Sequence, residues 1–307
     1  MKLKISSGEC KAFSKPGMVI FALLCFSMWS TGMIGSAIAS AQDDPGPAVV
    51  DTLVRVDGFH LNFRIYSGGS PTILLEAGGG MGLTEWDDIA PELVKKTGAT
   101  VVSYDRAGFG KSDLPEQSSD MKVEAGWLWK SLKQLGFEKD IILVGHSYGG
   151  WMIRIEASEN PDAVSGIVFI DPFSVEFVDL MGIAYLDQHP MAGKLPFDTS
   201  QPEKLTKQER AMMRMVGDGL GPKVEIMRKT TVPKGIPVFI IKSAIPTFPK
   251  EEEQKAWNQA LDRMAASIEG SVLIVAEKST HMIPFMQPDL VVDTVAKTID
   301  LAGFERE

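Results

Sequence analysis

Ser147 stands at the centre of a G-x-S-x-G pentapeptide at positions 145–149. A run of apolar residues, 141–144, precedes it, and residues 151–158 after it contain no Gly or Pro that would break a helix. The pattern predicts a sharp turn from a strand into a helix, in which the flanking glycines avoid Cβ collisions. Such a turn exposes the serine hydroxyl, so Ser147 is the predicted nucleophile. A glycine-rich strand end without chemistry is the alternative interpretation.

A histidine should accompany this serine, because a serine hydroxyl is a weak nucleophile at neutral pH unless a base lies within hydrogen-bond reach. The chain has four histidines, namely His60, His146, His189 and His281. His281 follows the last apolar run, so we expect it at the carboxyl end of a parallel strand, on the same rim as Ser147. We predict His281 as the base and expect the His146 side chain to point away from Ser147 into the structure.

An acid must orient this base, and Asp171 is the preferred candidate. Asp171 directly follows the apolar run 166–170, again at a predicted carboxyl strand end. The next apolar run, 236–241, is followed by Lys-Ser-Ala-Ile, which offers no carboxylate. The alternatives that stay open are Glu277, Glu176 and the three glutamates at 251–253.

Stabilisation of an oxyanion requires two backbone N–H groups that point at one place. The amide of Tyr148, directly after the nucleophile, is one predicted donor. Gly79 is the other, because the glycines at 78–80 follow the apolar run 72–77 and let the backbone approach a substrate closely. Gly78 is the neighbouring alternative, and a merely flexible turn is a further interpretation.

Eight apolar or alternating runs predict the strands that position these residues: 49–56, 59–66, 72–77, 100–104, 140–144, 166–170, 236–241 and 271–276. The first two alternate and are joined at Asp57-Gly58, a hairpin signal, so the sheet should begin antiparallel. The later runs are nearly all apolar and are separated by helix-length segments: 86–96, 121–135, 151–158, 250–267 and 290–301. We therefore predict an α/β fold with an eight-stranded, mostly parallel sheet and helices on both faces.

The segment 172–233 is too long for an ordinary strand crossover and contains no convincing strand, so we predict an inserted helical cap. The cap would divide the core into a first part, 42–171, and a second part, 234–307. The methionines of this segment are Met181, Met191, Met212, Met213, Met215 and Met227. Flexible thioethers suit a surface that adapts to an apolar ligand, and packing of the cap against the sheet is the alternative role.

Residues 1–41 have the pattern of a secretory signal peptide. Four lysines precede an apolar stretch at 18–38, and small residues at its end offer a cleavage site. We therefore expect a periplasmic or secreted destination, and the alternative is an uncleaved membrane anchor at residues 18–40. Both cysteines, Cys10 and Cys25, lie in this segment, so the mature chain would have no disulfide or thiol chemistry.

The chain is acidic, with a net charge of −9 over 307 residues. Without residues 1–41 it keeps 27 basic and 39 acidic residues, a net charge of −12. That balance argues against nucleic acid or anionic lipid as a partner. We expect a small ester-like molecule as the partner and no stable membrane insertion after signal cleavage, and no oligomeric state is predicted.

The stretch 105–112 contains glycines, a lysine and a serine but does not have the G-x-x-x-x-G-K-[ST] spacing of a phosphate loop. We interpret this stretch as a loop on the rim of the sheet. We expect an ion pair of Asp105 or of Arg106 inside this loop, with a structural role.

Across residues 49–305 the chain resembles the α/β-hydrolase superfamily, as a serine esterase-like or lipase-like member with a helical cap. The resemblance rests on the strand order, the Gly-His-Ser-Tyr-Gly-Gly elbow at 145–150, the loop at 104–112, the cap and the late His281. It implies a Ser-Asp-His hydrolase that needs no cofactor and no metal ion. The superfamily also contains dehalogenases and epoxide hydrolases, which use an aspartate nucleophile, and Ser147 argues against both activities.

Two features depart from many members of the superfamily. Many have His-Gly where this chain has Ala77-Gly78, and many place the acid after the strand that corresponds to residues 238–241. We expect an exported carboxylic-ester hydrolase in which Ser147, His281 and Asp171 act together. Alternatives are C–C bond hydrolysis or acyl transfer on the same residues, and a ligand-binding protein without turnover.

Overall fold

The structure is a computed structural model that describes residues 46–189, 195, 197–217 and 219–304. The predicted signal peptide at 1–41, with Cys10 and Cys25, and the cap residue Met191 lie outside the described residues. Within the described ranges, no helix is both long enough and apolar enough to span a membrane.

Eight strands form a single sheet. The strands are β1 Val49–Val56, β2 Phe59–Tyr66, β3 Gly69–Glu76, β4 Ala99–Asp105, β5 Ile141–His146, β6 Val164–Ile170, β7 Val238–Ser243 and β8 Val272–Ala276. Their order in the sheet is β1-β2-β4-β3-β5-β6-β7-β8. The β1-β2 and β2-β4 pairs are antiparallel and the other neighbours are parallel. The prediction of a mostly parallel sheet that begins with an antiparallel hairpin is confirmed.

Six of the eight strands begin one to three residues from the predicted positions, and two of the larger differences have a visible cause. β3 begins at Gly69 rather than at residue 72, because Gly69 pairs with Ala99 ahead of a shift in register. β7 begins at Val238 rather than at residue 236, because Pro237 has no N–H to donate to the ladder. Neither difference moves the carboxyl end of a strand away from the rim where the site residues lie.

Helices cover both faces of the sheet. They are α1 Ala90–Thr97, α2 Met121–Leu135, α3 Gly149–Glu159, α4 Val175–Met181, α5 Ile183–Leu186, α6 Lys207–Gly217, α7 Leu220–Met227, α8 Glu251–Ser267, α9 Ile283–Met286 and α10 Pro288–Leu301. In β5, Ile142 and Val144 face a core closed by α1 and α10, whereas Leu143 faces a core closed by α2, α3 and α8. Burial on both faces explains why the strands are continuous apolar runs.

The segment between β6 and β7 holds α4 to α7 and, in its described part, no strand. α4 and α7 pack with α3 and α8 in a third apolar cluster, in which Met227 is fully buried. Residues 77–80, which follow β3, are called the glycine loop. Met215 of α6 lies over this loop, since a Cβ on Gly79 would be 3.5 Å from the Met215 methyl carbon. Met227 therefore packs the helices together, whereas Met215 forms a wall over the glycine loop.

Candidate active site

Ser147 lies in the turn between β5 and α3 and has a φ of 54°. This left-handed backbone costs a non-glycine residue roughly 1–3 kcal/mol, and the Ser147 amide donates to the Ile170 carbonyl at 3.0 Å, which helps to hold it. A Cβ on Gly145 would lie 2.6 Å from the Gly149 carbonyl oxygen, and one on Gly149 would lie 2.4 Å from the Glu76 carbonyl oxygen. The G-x-S-x-G spacing is thus a requirement of this turn, which leaves Ser147 half-buried at the carboxyl rim of the sheet.

Asp171 and His281 lie in contact, with 2.7 Å between Asp171 Oδ2 and His281 Nδ1. Asp171 follows β6 and is fully buried. Its Oδ1 accepts hydrogen bonds from the Ser243 amide at 3.0 Å and the Trp257 indole at 3.2 Å, and its Oδ2 accepts one from the Ser243 hydroxyl at 3.1 Å. Burial raises the pKa of Asp171, but the hydrogen bonds, above all that with His281, bring the pKa below its usual value. The carboxylate is therefore ionised at neutral pH.

The other carboxylates considered for this role have different surroundings. Glu277 is exposed in the loop after β8, and Glu253 contacts Tyr185 and Lys250. Glu176 has a buried oxygen without a hydrogen-bond partner. Within the described residues, Asp171 is the only carboxylate in hydrogen-bond contact with the His281 ring.

The contact with Asp171 determines which nitrogen of the neutral His281 ring carries the proton. An ionised carboxylate only accepts, so Nδ1 donates and Nε2 keeps a lone pair. The His281 amide donates to Thr247 Oγ1 at 2.8 Å, and the ring packs edge-on against Trp257 with centroids 5.6 Å apart. No hydrogen bond in the described part of the chain joins the Ser147 hydroxyl to Nε2. The structure thus brings Asp171 and His281 into contact and leaves Ser147 on the same rim without that bond.

Gly79 and Tyr148 lie side by side, since a Cβ on Gly79 would be 3.4 Å from the Tyr148 Cβ. Neither of their backbone amides has an acceptor within the described ranges. The Gly78 amide, in contrast, donates to Glu85 Oε2 at 2.7 Å. Of the two glycines considered as the second oxyanion donor, Gly79 is therefore the one with a free N–H next to Ser147.

Arg106 makes an ion pair with Glu76 at the end of β3 rather than a pair inside the 105–112 loop. The prediction of an ion pair internal to the loop is wrong, because β3 and β4 are neighbours in the sheet and place Glu76 beside Arg106. The same guanidinium donates to the Ala77 carbonyl at 2.6 Å and to the Gly78 carbonyl. Arg106 therefore holds the backbone of the glycine loop, a contact that our reading of the sequence missed.

A second buried pair, Glu85 and His146, lies beside the glycine loop. Glu85 belongs to the short 3-10 helix Leu83–Trp86, and its Oε1 is 2.5 Å from His146 Nδ1. His146 Nε2 is 2.9 Å from the His281 carbonyl oxygen. The His146 side chain is buried, and its contacts connect it to both the glycine loop and the loop of His281. No local pattern signals this pair, because its members are 61 positions apart.

A shallow recess that is open to solvent lies between α6 and the loop after β4. Phe109, Leu114 and Met215 contribute apolar walls, and Arg106, Glu124 and Arg214 contribute charged groups to its lining. Burial raises the pKa of Glu124, which favours its neutral form. The recess therefore has a mixed apolar and charged lining, and Met215 is the lining residue that also lies against Gly79.

Comparison with known proteins agrees with this architecture. A sequence model of the alpha/beta hydrolase fold matches residues 71–212. The uncharacterized protein YqjL of Bacillus subtilis (strain 168) is 26% identical over 251 residues, which cover 80% of this chain and 90% of YqjL. The solved structure of the epoxide hydrolase CorEH has a TM-score of 0.59 at 19% identity and covers 82% of this chain and 99% of its own. The haloalkane dehalogenase DatA of Agrobacterium tumefaciens C58 has a TM-score of 0.60 at 18% identity, with coverages of 84% and 98%.

The resemblance inferred from the motifs is confirmed by these comparisons. Both departures from many family members are visible in the structure: the glycine loop begins with Ala77-Gly78, and Asp171 follows β6 rather than β7. At such low identity the two solved structures show the fold alone. The matched sequence model, the sheet order and the turn between β5 and α3 together show that the chain has the α/β-hydrolase fold.

Proposed function

We propose that the chain is a serine hydrolase that cleaves a carboxylic ester, or a related acyl bond, of a small apolar substrate. The observation that carries the proposal is the 2.7 Å contact between His281 and the buried, ionised Asp171, on the rim where Ser147 turns out of the sheet. This contact leaves His281 Nε2 able to accept a proton, which is what activation of a serine hydroxyl requires.

In the proposed reaction, Ser147 Oγ attacks the acyl carbon while His281 Nε2 takes the hydroxyl proton. The negative charge that forms on the acyl oxygen is stabilised by the amides of Gly79 and Tyr148, and each such donor lowers the barrier by about 3 kcal/mol. His281 then returns the proton to the leaving alcohol as the acyl–oxygen bond breaks. A water molecule, deprotonated by His281, finally releases the acid from Ser147.

The surroundings of Ser147 support an apolar substrate. The Phe173 amide donates to the Ser147 carbonyl at 3.1 Å, and the half-buried Phe173 ring packs edge-on against Trp151 with centroids 5.0 Å apart. Met215 and the Tyr148 side chain lie against Gly79. Aromatic and thioether groups around the nucleophile bind apolar acyl or alcohol groups without requiring a charged partner.

The identity of the nucleophile supports acyl chemistry over the activities in the names of CorEH and DatA. Ser147 stands where dehalogenases and epoxide hydrolases of the superfamily use an aspartate, which forms an alkyl ester with substrate. A serine in that place suits attack on a carbonyl carbon, where the two free amides of Gly79 and Tyr148 can stabilise the oxyanion.

Labelling with a fluorophosphonate probe tests the proposal. We expect one adduct, at Ser147, located by mass spectrometry of the intact chain and its peptides. The adduct should be absent in Ser147→Ala and form much more slowly in His281→Ala. The same protein should hydrolyse p-nitrophenyl esters of graded acyl length. The dependence of the rate on acyl length would show how long an acyl group the pocket accepts. A folded protein that is neither labelled nor able to hydrolyse any of these esters would refute the proposal.

The same reagents separate hydrolysis from the other functions considered. Transfer of the acyl group to added alcohols in preference to water would indicate an acyltransferase. A binding protein would bind the ester equally well in wild type and in Ser147→Ala, and neither would turn it over.

We also propose that the chain is exported, on the basis of the signal-like residues 1–41. Expression of the full chain in a bacterial host should yield a periplasmic protein whose mature N-terminus lies near residue 42. An uncleaved chain in the membrane fraction would support an anchor at residues 18–40 instead.

A further inference from the structure

The Glu85–His146 pair joins three separate segments of the site by consecutive hydrogen bonds. The Gly78 amide donates to Glu85 Oε2 at 2.7 Å, Glu85 Oε1 lies 2.5 Å from His146 Nδ1, and His146 Nε2 lies 2.9 Å from the His281 carbonyl oxygen. These contacts run from the glycine loop after β3 through the end of β5 to the loop after β8. Glu85, His146 and His281 are all buried, so solvent does not compete for these bonds.

The partners of His146 indicate its protonation state. A carbonyl oxygen only accepts, so the bond to His281 requires a proton on Nε2. At Nδ1, the 2.5 Å contact with Glu85 Oε1 requires one further proton between the two groups. An imidazolium paired with the buried Glu85 carboxylate satisfies both contacts. Burial alone would lower the pKa of His146, but the hydrogen bond and charge of Glu85 raise it above its usual value, in agreement with this state.

The bond to Gly78 has a consequence for the neighbouring glycine. Because Glu85 binds the Gly78 amide from one side and Arg106 binds the Ala77 and Gly78 carbonyls, the peptide planes before Gly79 are fixed. The Gly79 amide is thereby left free and held beside Tyr148. At the other end of the chain of bonds, the His281 carbonyl is fixed by His146, which restrains the backbone that carries the His281 ring.

We propose that Glu85 and His146 are positioning residues that hold the Gly79 amide and the His281 ring in the positions that attack by Ser147 requires. This inference rests on the proposed serine hydrolase function. Neither side chain is exposed to substrate, so both act through the backbone groups that they bind. A misplacement of reacting groups by about 1 Å can cost on the order of 100-fold in rate, so loss of the pair should lower kcat more than it changes KM.

Substitutions at Glu85 separate the geometry of the pair from its charge. Glu85→Ala removes both bonds, and we expect kcat to fall by about 10-fold to 100-fold with KM changed less than about 3-fold. Glu85→Gln can keep both bonds. Its amide oxygen accepts from the Gly78 amide, and its NH2 group donates to Nδ1 of His146. His146 is then neutral, and its Nε2–H still donates to the His281 carbonyl. We expect this conservative variant to restore kcat to within about 3-fold of wild type.

The double variant Glu85→Ala/His146→Ala tests whether the two residues act as a unit. Its loss in kcat should be smaller than the product of the losses in Glu85→Ala and His146→Ala, because either single variant already breaks the connection between the glycine loop and the His281 loop. The double variant also leaves no unpaired buried charge, so it guards against loss of activity through misfolding. His60→Ala is the matched control, since it breaks an exposed His–Asp contact of 2.9 Å with Asp113 and should leave kcat unchanged.

All rates are expressed per serine that reacts with the fluorophosphonate, and melting temperatures are recorded for each variant. A purely structural pair would lower the melting temperature and the reactive fraction but leave kcat per reactive serine at the wild-type value, and that result would overturn the inference. A Glu85→Gln variant as slow as Glu85→Ala would also overturn positioning by hydrogen-bond geometry.

A readout without turnover distinguishes failure of this inference from failure of the proposed function. In full-length protein with ¹⁵N-labelled histidine, His146 should show protons on both ring nitrogens at neutral pH and should lose one in Glu85→Gln. A wild-type protein that shows this imidazolium but takes no fluorophosphonate would refute the hydrolase function alone. A labelled, active protein with a neutral His146 and wild-type kcat in Glu85→Ala would refute the positioning pair alone.

Discussion

Asp171→Asn should nearly abolish turnover although it replaces a single atom of the side chain. Oδ1 accepts from the Ser243 amide at 3.0 Å and from the Trp257 indole at 3.2 Å, and both groups can only donate. The asparagine must therefore place its carbonyl oxygen at the position of Oδ1. Its NH2 group then takes the position of Oδ2, 2.7 Å from His281 Nδ1.

This exchange changes the tautomer of His281. An NH2 group donates, so Nδ1 has to accept and the ring proton moves to Nε2. An Nε2 that carries a proton cannot take the proton of the Ser147 hydroxyl. The Ser243 hydroxyl, which lies 3.1 Å from Oδ2, can accept as well as donate, so it adapts without moving. The geometry is kept while the base is held in the wrong form.

We expect kcat of Asp171→Asn to fall by about 10⁴-fold, the size of the same tautomer error in a Ser-His-Asp protease. That factor corresponds to about 5.5 kcal/mol of activation free energy. KM should change little, because Asp171 is fully buried and does not touch substrate. Steady-state hydrolysis of a p-nitrophenyl ester and the rate of fluorophosphonate labelling should fall together, and ¹⁵N spectra of His281 should show the proton on Nε2.

Asp113→Asn is the matched control for this substitution. Asp113 also contacts a histidine nitrogen, His60 Nδ1 at 2.9 Å, but on the exposed surface. Its replacement should leave kcat unchanged and alter the free energy of unfolding by less than about 1 kcal/mol. An Asp171→Asn protein whose kcat lies within 10-fold of wild type would contradict the tautomer argument, and so would an equal loss of activity in Asp113→Asn.

Trp257→Phe removes the indole that donates a hydrogen bond to the ionised Asp171. Urea unfolding at pH 7 should show a free energy of unfolding lower by about 1.5–3 kcal/mol. Because the pKa of Asp171 is lowered in the folded state, this difference should shrink as Asp171 is protonated at low pH. An equal loss at both pH values would show that packing, not the charge, is responsible. Gly149→Ala places a Cβ 2.4 Å from the Glu76 carbonyl oxygen and should lose several kcal/mol of stability together with activity. Gly126→Ala in α2 is the control, because its Cβ meets nothing within 4 Å, and it should gain about 0.5–1 kcal/mol of stability. Thermal unfolding of both variants and of wild type measures these changes. The pKa of His146 is raised, so its stabilising contribution is complete below the unfolded value of about 6.5 and is lost as pH rises through the higher folded value. The stability difference between wild type and Glu85→Ala/His146→Ala should therefore narrow from pH 6 towards alkaline pH, and a constant difference would argue against a charged His146.

The strands and the turn at Ser147 could be predicted from the sequence because their signals are local. Continuous apolar runs report burial on both faces of a parallel strand, and glycines at 145 and 149 report the close backbone approaches that the turn requires. Asp171 could be preferred as the acid by a similar local argument, since it ends β6 and no carboxylate follows β7. The structure places its side chain against His281.

Only the tertiary structure decided which groups hold the site residues in place. β3 lies between β4 and β5 in the sheet, so Glu76 meets Arg106, 30 positions away, and Glu85 meets His146, 61 positions away. The same contacts leave the Gly79 amide free and the Gly78 amide bound, because the Gly78 amide donates to Glu85. Periodicity and turn chemistry act between residues close in sequence, whereas these hydrogen bonds depend on which strands become neighbours, and that order is a property of the whole folded sheet.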